Sequence, residues 1–113
     1  MMNELPVIMR THKIYQNISN LTEKLPSLKR QTIGRRIEDK TLELMELLIM
    51  AKNAPKAMKM AYLIKASAVV EIIQFHIRTM MDQKLANDTT LHQIASKIEE
   101  IARMVGGWRK SAQ

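Results

Sequence analysis

At 113 residues the chain is long enough for one domain with its own buried core, needing neither metal nor disulfide support. It has no cysteine, which excludes thiol catalysis, cysteine-ligated zinc and disulfide framing and accords with a reducing cytoplasm, the expected location. Eighteen Lys and Arg against eleven Asp and Glu give a formal charge of +7, which points to anionic partners: nucleic acid, an acidic protein surface or anionic lipid.

The opening stretch, residues 1–10, contains Glu4 and lacks a small-residue cleavage site, so it does not read as a signal peptide. Charges interrupt each apolar run before the roughly 18 residues a membrane span needs, and no membrane association is expected. A first helix is predicted over about 6–25, with Pro6 in its first turn and Val7, Thr11, Ile14, Ile18, Leu21 and Leu25 as the inward stripe. Pro26 stops it, because the residue before a proline avoids helical dihedrals. Ser27 is the expected N-cap of a second helix over about 28–52. Ile33, Ile37, Leu44, Leu48 and Ala51 form its buried face, with Met45 and Leu47 on the flanks. Asn53, Ala54 and Pro55 break the chain, and Pro55 starts a third helix ending near residue 85. Asn87 and Asp88 make the next turn, and Thr90 with Gln93 fits a capping box for a fourth helix over about 90–109. Its stripe is Leu91, Ile94, Ile98, Ile101, Val105 and Trp108, and residues 110–113 form a short tail. Short connections make sequential helices antiparallel neighbours, so the expected fold is all-α: an up-down-up-down four-helix bundle spanning 1–113. The ten methionines read as core filler.

The third helix carries two stripes. Leu63, Ala66, Val70, Ile73, Ile77 and Met80 face one way; Ile64, Ala68, Ile72 and Phe75 are offset by about one residue. A helix apolar on most of its circumference is buried on more than one side. A square bundle has no central position, so the second stripe predicts a contact with another subunit.

Several blocks carry a resemblance: Leu25-Pro26, the run Thr32-Ile33-Gly34-Arg35-Arg36-Ile37-Glu38, the run Leu42 to Ile49, Lys65-Ala66-Ser67, and the closing Ile101 to Ser111 with Gly106-Gly107-Trp108. Over nearly its whole length the chain resembles the four-helix-bundle proteins typified by the accessory variability determinant (Avd) of diversity-generating retroelements. A related branch is encoded in intervening sequences of bacterial large-subunit ribosomal RNA. The resemblance implies a homopentameric barrel with a positive surface and channel, associated with a reverse transcriptase and its RNA or cDNA. The role implied is that of a non-enzymatic accessory subunit in mutagenic reverse transcription. Two other readings are a structural bundle that binds only proteins and an RNA chaperone or ribosome-associated factor.

The cations fall in runs. No acid interrupts Lys24, Lys29, Arg30, Arg35 and Arg36, nor Lys52, Lys56, Lys59 and Lys65. Antiparallel topology should bring Arg10, Lys13, Arg103, Arg109 and Lys110 beside the second run, balanced chiefly by Glu4 and Glu46. Such sets bind phosphates by releasing counterions, without reading sequence. Arg35 and Arg36 are the first candidates, then Lys29 and Arg30, then Lys56 and Lys59, with Arg10, Lys13, Arg109 and Lys110 completing the set. Each also has a solvated reading: Arg35 can pair with Asp39, and Lys40 with Glu43. The scarcity of aromatic residues favours backbone or shape recognition over base stacking. Gly34 and Gly106-Gly107 interrupt helical pattern, and Trp108 keeps the stripe's phase and should pack. His12, His76 and His92 lie on three helices without ligand spacing, and no serine sits in a nucleophile context. No catalytic residue, metal, cofactor or small-molecule substrate is expected.

Overall fold

The computed structural model describes residues 4–113, in which all regular structure is helical. Helix α1 spans Glu4–Thr22. A second rod is made of α2 (Ser27–Lys29), a π-helical turn (Arg30–Gly34) and α3 (Arg35–Asn53); α4 spans Lys56–Asp82 and α5 spans Asp88–Ser111. α1 packs on α3 and α5, and α4 packs on the same two, so four rods close a bundle. Its extents, 44 × 23 × 19 Å, match the roughly 40 Å length of the 27-residue α4.

The core follows the stripes. Val7, Thr11, Ile14, Ile18, Leu21 and Leu25 are all buried, and so are the inward residues of α4 and all six of α5, Trp108 among them. The three buried threonines on α1 and α3 satisfy their hydroxyls locally: Thr11 donates to the Val7 carbonyl at 2.8 Å, Thr22 to that of Ser19 at 3.1 Å and Thr41 to that of Ile37 at 2.7 Å.

The ends differ from expectation for identifiable reasons. α1 stops at Thr22 and Leu25 reaches the core from a turn, held by the Leu25 amide on the Thr22 carbonyl at 3.1 Å. Ser27 makes no cap; Pro26, extended at ψ 147°, occupies that position and Ser27 is the first helical residue. The Thr90–Gln93 box does not form, because Asn87 caps α5 first, its Oδ1 accepting from the Thr89 and Thr90 amides at 2.8 and 3.3 Å. The third helix closes earlier than expected, at Asp82, and Lys84 turns the chain with a φ of 52°. α5 continues to Ser111, past the expected end.

The π turn is the one internal irregularity. The Arg35 amide reaches back to the Arg30 carbonyl, five residues away, which widens the rod and shifts its phase. Gly34 thereby takes the inward position and Ile33, expected in the core, is half-buried. A methyl on Gly34 would meet Leu25 Cδ1, the Lys29 carbonyl and Thr22 Cβ, each at 3.4 Å, so this turn lies close against the end of α1.

α4 contains an 18-residue window of mean hydropathy 1.3 with at most two charges, contrary to the expectation that charges break every long apolar run. Its inward residues pack into the bundle, and a third of that window is buried. The excess apolarity is on its outward face.

Gly106 and Gly107 approach no other part of the protein: beyond the local helix backbone and the adjoining residues, nothing described lies within 4 Å of a Cβ added at either. Each costs its helix roughly 0.8–1 kcal/mol relative to alanine. The variant Gly106→Ala/Gly107→Ala should therefore gain about 1–2 kcal/mol, read as a higher urea midpoint at unchanged m-value.

Candidate oligomer and nucleic-acid interfaces

At 100° per residue, Ile64, Ala68, Phe75 and Ile72 fall within an arc of about 80° on α4, opposite Ala66, Val70 and Ile73. The structure leaves that arc open. Phe75 is 57% exposed, Ile64 49% and Ile72 38%, and Ala68 is exposed. Exposed Ala57 and Ala61 extend the strip towards the start of α4. Arg78 stands over the Phe75 ring at 5.7 Å, and a groove lined by Phe75, Arg78, Met81, Ala95 and Glu99 separates this edge from α5. Contiguous apolar side chains on one ridge, bordered by charge, have the anatomy of an association surface.

The cations divide into engaged and free. Lys59 donates to the Ala51 and Lys52 carbonyls at 2.8 and 3.0 Å, closing the C-terminus of α3, where an ammonium also suits the helix dipole. Arg10 pairs with Glu100. Arg109, half-buried, donates to Ser67 Oγ at 3.3 Å and ties α5 to α4. Lys29 donates to Gln83 Oε1 at 3.1 Å, bracing the rod against the end of α4. These four candidates have local structural work.

Arg30, Arg35 and Arg36, by contrast, are exposed and make no hydrogen bond or ion pair among the described residues, as are Lys13, Lys56 and Lys110. The Arg35–Asp39 pair does not form, whereas Lys40–Glu43 does, at 3.0 Å. Three free guanidinium groups therefore occupy the π turn and the first residues of α3. The side chain of Glu4, expected to balance the opposite pole, lies outside the described residues. No group of three or more His, Cys, Asp and Glu side chains is placed to hold a metal ion among the described residues.

His76 of α4, half-buried, faces the same arginine-bearing rod. Burial first, then the positive charges of Arg36 and Lys40, hold its pKa below the ordinary 6.5. On acidification the unfolded chain takes up this proton before the folded one. The stability contributed by neutral His76 is complete above about pH 6.5 and is lost as pH falls from there through the lowered folded value. His76→Gln should flatten that part of the fall in the urea midpoint. The setting of His76 is visible only once α4 lies on α3.

The class defined by these features is a basic, all-α four-helix protein that displays an apolar helix ridge and a free arginine cluster. The model of the bAvd-like family matches residues 7–112, and the chain belongs to that family, an Avd-type accessory protein. No curated protein matches the chain.

Proposed function

We propose that this protein is the non-enzymatic accessory subunit of a diversity-generating retroelement, working in the cytoplasm beside a reverse transcriptase. Copies join through the outward face of α4 into a ring, a homopentameric barrel by analogy with the Avd resemblance. The ring repeats the Arg30–Arg35–Arg36 cluster and holds template RNA or nascent cDNA near the polymerase, which supplies the chemistry. The observation that carries the reading is that cluster: three exposed guanidinium groups with no acid bound to any of them among the described residues, in a chain of this family.

Free arginines favour phosphate because the planar fork matches two phosphate oxygens and is weakly hydrated. Binding of this kind tracks charge and shape and depends little on base sequence. The test is a titration of structured RNA at 50 and 200 mM salt, with tagged protein used in parallel to retain the co-expressed reverse transcriptase. A fall of orders of magnitude in RNA affinity across that range, with the polymerase retained, supports the proposal. Absence of saturable RNA binding at the lower salt supports the protein-only bundle instead.

A further inference from the structure

The seam between α1 and α5 is the most sparsely packed of the four, and its walls are polar. On α1, Arg10, Lys13, Asn17 and Asn20 recur at steps of three and four, so they form one ridge, and Lys24 follows in the turn after the helix. On α5, Thr90, Gln93, Lys97 and Glu100 form the facing ridge in the same way. Two cavities of about 400 and 180 Å³ open along the seam, and Lys97 borders both. Leu21 and Ile94 line the larger one from below, both buried.

The chemistry of these walls is unbalanced. Glu100 is the one acid lining either cavity, and Arg10 already pairs with it. Lys13, Lys24 and Lys97 are exposed, and they face the seam without a counter-charge among the described residues. Asn17, Asn20 and Gln93 lie between them, and their carboxamides make no hydrogen bond among the described residues. Bundle flanks ordinarily carry charges of opposite sign that pair across the helices. Here three cations are spread along the seam and the amides between them offer free donors and acceptors, a set that suits an anion with hydrogen-bonding groups spaced along it.

We infer that the α1–α5 seam is a second nucleic-acid site, one that takes a single polynucleotide strand. Its lysines hold phosphates, and Asn17, Asn20 and Gln93 hydrogen-bond to sugar hydroxyls or base edges. The inference rests on the nucleic-acid reading above, but the site is on different helices from the arginine cluster. A strand fits and a duplex does not, because packed helix axes lie about 8–10 Å apart, too close for a whole duplex to enter between them. From Lys13 to Asn20 the α1 ridge rises about 10 Å, room for about three nucleotides stacked at roughly 3.4 Å each, and Lys24 stands in the turn beyond it.

The test uses an unstructured 12-nucleotide RNA and a 12-base-pair RNA duplex, each titrated by fluorescence anisotropy against the full chain. The triple variant Lys13→Gln/Lys24→Gln/Lys97→Gln, shown to be folded by circular dichroism, should lose about a hundredfold in single-strand affinity at 0.1 M salt. Its salt slope should fall by about 2, three phosphate contacts at roughly 0.7 each. Duplex affinity, carried by Arg30, Arg35 and Arg36, should change less than threefold. A second variant, Asn17→Ala/Asn20→Ala/Gln93→Ala, should weaken single-strand binding severalfold at unchanged slope. Equal losses for strand and duplex would overturn the inference, as would a triple variant indistinguishable from the parent. Displacement of the strand by poly-glutamate at equal charge would also overturn it, by showing a surface for acidic protein. Loss of all nucleic-acid binding in the parent would sink the broader proposal with it, whereas intact duplex binding with an unaffected strand sinks only the seam.

Discussion

The double variant Ile64→Glu/Phe75→Glu is expected to sediment as a 13.1-kDa monomer at micromolar concentration, while the parent sediments as a multiple of that mass. Both positions are about half exposed in the protomer, so glutamate, a good helix former, should leave folding stability within about 0.5 kcal/mol. In an assembly the same carboxylates would be pressed into an apolar contact, where an unpaired charge costs several kcal/mol. That asymmetry separates an association surface from a merely greasy helix: the variant keeps its circular dichroism and urea midpoint and loses its partners. A parent chain that is itself monomeric, or a variant that assembles equally well, removes the ring.

The second large effect is expected at the arginines. Arg35→Glu/Arg36→Glu should weaken binding to structured RNA by about a hundredfold or more at 0.1 M salt. Two lost phosphate contacts account for roughly 1.8 log units, and the reversed charges add repulsion. Arg35→Gln/Arg36→Gln should fall between that variant and the parent. Lys59→Gln is the informative comparator, since its ammonium is held by the Ala51 and Lys52 carbonyls. It should cost stability at the α3 end and leave RNA affinity within about twofold. Equal losses at Lys59 and at the arginine pair would mean that overall charge, rather than the free cluster, governs binding.

Much of this bundle is legible in the sequence because three of its inward stripes keep strict helical spacing from end to end. Val7 to Leu21, Leu63 to Met80 and Leu91 to Trp108 needed only the 3.6-residue period. So did the outward stripe of α4, since Ile64, Ala68, Ile72 and Phe75 are too apolar for a wet face and too far round the helix for the core. The second rod was harder. Nothing in Arg30-Gln31-Thr32-Ile33-Gly34 signals a five-residue hydrogen bond; the turn widens where Gly34 lies against Leu25 and Thr22, a tertiary contact.

The candidate cations show the same division. Their number and runs are written in the chain, but which are free is not. Lys59 turns back to carbonyls seven and eight residues earlier, and Arg109 reaches a serine forty-two residues away. Lys97 carried no signal alone; it gains meaning only when α5 places it on the two cavities that Lys13 and Lys24 border.

The central claim is that self-association through α4 adds the free cations of several protomers into one polyanion-binding surface. The salt dependence of RNA affinity, measured for the parent and for Ile64→Glu/Phe75→Glu under the same conditions, tests it most directly. The parent should show a slope several times that of the variant, whose single cluster of three arginines supports no more than about −3 on duplex RNA, taking roughly 0.9 per phosphate. Matching slopes and affinities for the two proteins would contradict it.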